Sequence, residues 1–158
     1  MNSRSGLVLI HCAVLLFGLA GLFGKTIALS SLQITWGRTL FAALSLGAAI
    51  RFAAQSFHVK RKHISVFIIM GCLLAAHWWT FFHAIQISTV AIGLLSFAGF
   101  PIVVILLEPF FDDVSFYFPN LLYAFLTIVG VFLVLPEISW DSNLTMGGVW
   151  GLLSGALY

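Results

Sequence analysis

Apolar residues dominate the chain in long unbroken runs, and the polar positions that interrupt them fall into a few short clusters. A helix needs about 20 predominantly apolar residues to cross a bilayer core. Five stretches meet that requirement: Leu7 to Gly24, Leu32 to Ala53, Ile64 to Ile85, Thr89 to Phe111 and Phe116 to Leu135. Pro119 falls in the first turn of the fifth, where proline is tolerated, and Pro136 stops it. The connections are short, as packed helical hairpins require. The runs are too long for strands and lack the period-two alternation of a membrane barrel. A sixth segment opens at Met146-Gly147-Gly148 and reaches Tyr158 after about a dozen residues, too few to cross. The pattern predicts an all-α integral membrane protein of five transmembrane helices plus the start of a sixth, and a chain that ends inside a helix, as a truncated protein would.

Composition supports the bilayer as solvent. Hydrophobic residues make up 61% of the 158 and charged residues 8%, against about a quarter charged in a soluble domain. The net charge of +2 is small and gives no reason to expect a nucleic-acid partner. Cys12 and Cys72 sit in different apolar segments, which predicts two free, buried cysteines used for packing. The run after Arg4 resembles a signal peptide only superficially: it is long for such a core, and no A-x-A site follows it. Arg51, Lys60, Arg61 and Lys62 cluster between the second and third helices, on the same side by parity as Arg4. The positive-inside rule then places the N-terminus and this loop in the cytoplasm, with the protein multi-pass in an inner or plasma membrane.

Helical spacing sorts the embedded polar residues onto faces. His11, Gly18 and Lys25 lie seven apart, with Gly21 beside them. They form either a cavity-facing stripe ending in a cation, or a glycine packing face with a structural histidine and a lysine reaching the interface. Arg38 lies a turn or so inside the second helix, where an arginine must face protein or water. It serves either the structure or the solute. In the third helix Trp79 and His83 share a face, and His77 lies about 120° round from His83. The two histidines therefore do not share a metal, and no cofactor is expected. Trp78 and Trp79 lie near mid-helix rather than at its end, which suggests an aromatic cavity wall for stacking or cation–π contact. In the fourth helix Thr89, Gly93, Ser96 and Phe100 make a small, polar-edged face. Pro101 has no N–H for the Phe97 carbonyl and marks a kink, either static or used in gating. Glu108 near the far end reads as an interfacial acid or a proton-coupling one. No catalytic constellation is present: there is no GxSxG elbow and no HExxH spacing, so the protein is not expected to be an enzyme.

The run Ala76-His-Trp-Trp-Thr-Phe-Phe-His-Ala-Ile85, then Ser88-Thr-Val-Ala91, Phe100-Pro101 and Leu107-Glu-Pro109, resembles the third and fourth helices of EamA-type proteins of the drug/metabolite transporter superfamily. Gly18-Leu-Ala-Gly-Leu-Phe-Gly-Lys25 is similar to the end of their first helix, Arg38-Thr-Leu-Phe-Ala-Ala43 to their second, and Ala124 to Val131 to their fifth. Asp112-Asp113 stand where the family usually has Gly-Glu. The resemblance implies a ten-helix protein of two inverted five-helix repeats around a central cavity. Residues 1–137 would then be one repeat, and 138–158 an external loop and the truncated start of the second. A weak likeness between Gly6-Leu-Val-Leu-Ile-His-Cys-Ala13 and Gly148-Val-Trp-Gly-Leu-Leu-Ser-Gly155 fits that symmetry.

The expected function is secondary transport of a small metabolite, amino acid or drug by alternating access. Trp78, Trp79, His83, Ser96, Phe100, His11, Lys25 and Arg38 are the candidate solute contacts, and Pro101 the gate. Lys25 and Arg38 would favour an anionic or zwitterionic solute. The expected partners are the lipid bilayer, the solute, and either a second copy or a missing C-terminal repeat. The alternative is a non-transporting assembly subunit or defective half-transporter.

Overall fold

The structure, a computed structural model, describes residues 3–53, 59–111, 118–134 and 138–158. All regular structure among these residues is helical. Helix α1 is Ser3–Thr26, α2 Ser31–Phe52, α3 Ile64–Ile87 with a 3-10 turn at Arg61–His63 before it, α4 Val90–Phe97, α5 Phe100–Phe111, α6 Phe118–Val134 and α7 Asn143–Leu157. Asp112, Asp113, Pro136 and the expected ends of the fifth span lie outside the described residues.

Among the described residues three segments are long and apolar enough to cross a membrane: Ser5–Thr26, Arg61–Ile87, and Val90–Phe110, which joins α4 to α5. The other two expected spans fall short of the same standard. Gln33 and Arg38 lower the hydropathy of α2, and the described part of α6 is only 17 residues.

Local chemistry fixes the turns. Ser30 caps α2 in a reciprocal box: its hydroxyl accepts from the Gln33 N–H, and the Gln33 amide oxygen accepts from the Ser30 N–H. Thr89 caps α4 by accepting from the Ile92 N–H at 3.2 Å, and Ser142 caps α7 through the Leu144 N–H at 3.3 Å. Only Ser88 and Thr89 separate α3 from α4, so the two form a tight hairpin. There Gly93 backs onto Ile85 so closely that a Cβ would lie 2.5 Å from its Cγ1.

Helix α3 is the hub, and α7 is its most closely packed neighbour. Gly147, Gly151 and Gly155 lie four residues apart on one side of α7. A Cβ at Gly147 would collide with the Ser88 side chain, one at Gly151 would lie 2.6 Å from Ser96 Cβ, and one at Gly155 would lie 2.9 Å from the Phe97 carbonyl oxygen. Removing side chains from a helix face lets backbones approach, which is how association proceeds where lipid tails are as apolar as leucine. On the other side α1 meets the hairpin through Gly21 and Gly24, the latter against the Phe82 ring. Gly18 has nothing within 4 Å, so close packing by α1 begins only at Gly21. The core is correspondingly local: Phe81, Phe82, Ala84, Ile85 and Ile92. Long apolar side chains along α1 and the first half of α3 are exposed, as lipid-facing residues are. Cys12 and Cys72 are free, as expected, but they sit exposed on these outer faces rather than buried.

The fourth span is not one continuous helix. Helix α4 ends at Phe97, Ala98 and Gly99 form a turn, and α5 begins at Phe100. Pro101 therefore stands in the first turn of α5 rather than in a helix interior. A proline there lacks only an N–H that would be unbonded anyway, and its ring excludes a continuing helix through Phe97. The N–H groups of Gly99 and Ile102 make tighter bonds to Ser96 and Gly99 instead. The proline inside a helix is Pro109.

Candidate functional site

A hollow beside the middle of α3 is built outward from that helix. His77, Trp78 and Phe81 line it from that helix, Leu94 and Phe97 from α4, Phe100 from α5, Phe17 from α1, and Tyr158 after the end of α7. Its volume is about 210 Å³. His77 lies ten residues before Ile87, about 15 Å along the helix axis. That is half the thickness of a bilayer core. Six of the eight lining residues are aromatic and none is charged. Tyr158, Phe97 and Phe100 pack ring against ring with centroids 5.4–5.6 Å apart. His77 is 1% exposed and sits 5.1 Å from the Tyr158 ring.

His77 is held by α7. Its Nδ1 lies 2.9 Å from the Ser154 carbonyl oxygen and 3.0 Å from Ser154 Oγ, and that hydroxyl donates to the His77 carbonyl at 3.1 Å. Ser154 is fully buried. Two main chains and two side chains thus close one polar knot between α3 and α7. Hydrogen bonds of this kind are the expected partners for polar groups that lipid cannot solvate.

The Trp78 ring is fixed from behind. Arg38 Cζ stands 3.5 Å from its centroid and 5.6 Å from that of Phe82. The embedded guanidinium is met by aromatic faces rather than by a carboxylate. Lys25 Nζ donates to the carbonyls of Gln86 at 2.8 Å and Ser88 at 2.7 Å, at the C-terminus of α3. Those carbonyls have no helical partner, and a cation there also meets the negative end of the helix dipole. Gln86 returns the contact, donating to the carbonyls of Gly24 and Leu29. Both cations expected to attract an anionic solute are therefore engaged by the protein itself.

The other expected residues lie elsewhere. Trp79 turns away from Trp78 and forms an outer cluster with His83 and Trp150, its centroid 6.2 Å from the imidazole and 5.7 Å from the second indole. His83 meets Trp150 edge-on at 5.1 Å. Ser96 is buried against Gly151 rather than open to the hollow. His11 is exposed on α1, its Nδ1 2.7 Å from the Leu7 carbonyl one turn back. Pro101 follows the α4–α5 turn beside Phe100. Glu108 is exposed on the rim of a second, open groove of about 370 Å³ that also includes Phe100 and Tyr158. Among the described residues no three His, Cys, Asp or Glu side chains converge as metal ligands.

The sequence profile of the EamA-like transporter family matches residues 4–135. The chain belongs to the EamA-like transporter family. No curated protein and no solved structure matches it closely enough to compare. Membership of this family and the apolar spans make it an integral membrane protein of the drug/metabolite transporter type.

Within this EamA-like chain the structure brings Trp78, Arg38 and Phe100 to the hollow or its wall, and leaves Trp79, His83, Ser96, His11 and Lys25 outside it. Reasoning from sequence passed over His77, Phe97, Tyr158 and Ser154. The signal for α7 was present as Gly147-x-x-x-Gly151-x-x-x-Gly155, a small-residue repeat typical of tight membrane helix pairs. Chemically the arrangement offers stacking surfaces and one imidazole.

Proposed function

We propose that this protein is a secondary transporter that moves a small metabolite, amino acid or drug by alternating access. In this reading the aromatic hollow is one wall of the solute path. The observation that carries it is the position of that hollow: halfway along a membrane-spanning helix, lined by rings from five helices or their ends. Solute sites of inverted-repeat transporters lie near the bilayer midplane where helices are interrupted. The α4–α5 break supplies such an interruption beside Phe100, and Gly99 and Pro101 would let α5 swing against α4. The same reading takes α2 and α6 as crossing the membrane, which gives five spans before α7. It places the basic Arg51–Lys62 region and the N-terminus in the cytoplasm of an inner or plasma membrane.

Flux across vesicles reconstituted with the protein tests this. Trp78→Ala and Phe100→Ala should each reduce solute flux at least tenfold, and Trp79→Ala and His83→Ala, in the outer cluster, should reduce it less. Unchanged flux in the first pair would remove the hollow from the mechanism. Binding to other membrane proteins without any flux would favour an assembly subunit.

A further inference from the structure

The hollow has a definite polarity, set by which nitrogen of His77 carries the proton. The Ser154 carbonyl only accepts hydrogen bonds, so His77 Nδ1, 2.9 Å away, must be the donor. The Ser154 hydroxyl uses its own proton on the His77 carbonyl, so toward Nδ1 at 3.0 Å it too acts as acceptor. All three contacts agree on the Nδ1–H tautomer, in which Nε2 bears a lone pair. Among the described residues no group hydrogen-bonds Nε2. Among the described residues no occluded side-chain nitrogen or oxygen lacks a partner, so this atom opens onto the hollow that His77 lines. A nine-tenths-buried residue thus aims one unused acceptor into an uncharged aromatic box.

We infer that the hollow binds a planar, uncharged aromatic solute of one or two rings carrying a single N–H or O–H donor, with His77 Nε2 accepting that donor. The inference rests on the transport reading for its biological sense, but the site itself is a matter of binding. Size limits the ring count: about 210 Å³ exceeds the about 150 Å³ cavity that holds benzene and falls below the about 300 Å³ where drug-sized pockets begin. The rings of Phe81, Phe97 and Tyr158 supply faces and edges for stacking. No lining residue is charged, and the Arg38 guanidinium lies behind the Trp78 ring rather than in the hollow, so a carboxylate or ammonium would enter without a directly paired charge. A solute with only an acceptor would meet the Nε2 lone pair and be refused, which makes His77 the residue that sets specificity.

Two flat bicyclic probes of similar size separate these terms: indole, which has one N–H, and naphthalene, which has none. Saturable binding of each radiolabelled probe is measured on the reconstituted protein against protein-free vesicles. His77→Asn keeps an amide nitrogen where Nδ1 stands and so keeps the Ser154 contact, but deletes Nε2. His77→Gln places an amide oxygen near the Nε2 position. Indole should bind the native protein saturably, about tenfold more weakly in His77→Asn, and regain most of its affinity in His77→Gln. Naphthalene should bind all three alike, which also shows that the variants are folded. Absence of saturable indole binding, equal indole affinity in His77→Asn, or equal loss of both probes overturns the inference. Flux keeps the two readings apart. Vesicles that transport another solute but do not bind indole retain the transport reading and lose this site, whereas vesicles that bind indole through His77 and never move it do the reverse.

Discussion

At the scale of single residues, Lys25, Arg38 and Ser154 are each engaged by the protein itself, through carbonyls, ring faces and an imidazole. Lys25 closes the end of α3, Arg38 backs Trp78, and Ser154 ties His77 to α7. Lys25→Met keeps the stem and removes two charge-assisted bonds to exposed carbonyls. Water reaches that end, so the loss should be about 1 kcal/mol, seen as a lowered unfolding midpoint in detergent. Ser154→Ala removes a fully buried hydroxyl, but the His77 carbonyl still accepts from Thr80 Oγ1 at 2.9 Å, so the cost should be about 1 kcal/mol. Ser142→Ala, which removes an end cap, should cost about 1 kcal/mol, and the same unfolding measurement checks all three. The sequence singled out Lys25 and Arg38 because a charge in an apolar run is conspicuous. Their partners were invisible, since carbonyls and ring faces leave no mark in composition and lie far along the chain. His77 was weighed only against His83, on another face, and was not among the expected solute contacts, and its partner Ser154 lies in a segment read as too short to cross the membrane.

At the scale of helices, glycine decides where close packing occurs. Gly151 meets Ser96 and the backbone of α4, while Gly47 has nothing within 4 Å. Gly151→Ala inserts a methyl group where there is no room and should destabilise by about 1–3 kcal/mol. Gly47→Ala, in an open helical position, should stabilise by about 1 kcal/mol. Opposite signs in one unfolding assay check the pair, and equal effects would mean that α7 does not seat on α4 as described. Hydropathy marked out α1, α2 and α3 to within a few residues, because length and apolarity alone define such helices. It did not show that α4 and α5 are two helices. Proline announces a disturbance but not its form, and here the chain resolves the clash by turning at Ala98–Gly99 before the ring rather than bending around it. The role of α7 was legible only in its Gly147, Gly151 and Gly155 repeat, since what it contributes is the absence of side chains.

At the scale of the whole molecule, the question is which helix ends share a side of the membrane. Lys25 bonds the Ser88 carbonyl, Gln86 bonds that of Leu29, and Gly147 abuts Ser88. The end of α1, the start of α2, the end of α3 and the start of α7 therefore meet at one face of the bundle. Lys60 precedes α3 at its other end, about 36 Å away for 24 residues. Leu29 and Lys60 lie across a bilayer if α3 crosses it, and the chain between them must then cross through α2, whose Arg38 costs about 2.5–3.5 kcal/mol at a bilayer centre. The contact with Trp78 returns about 0.5–2 kcal/mol of that, and Arg38 lies only eight residues from the capped Ser30 end, where the cost is smaller. The balance favours a crossing α2. With Cys12 and Cys72 changed to alanine, single cysteines at Leu29 and Lys60 should react with a membrane-impermeant maleimide from opposite sides: Lys60→Cys only in opened cells, Leu29→Cys in intact ones. Labelling of both from one side would leave neither α2 nor α3 crossing the membrane. Arg38 would then be an interfacial residue, and the indole of Trp78 would lose the cation that holds it in the wall of the hollow.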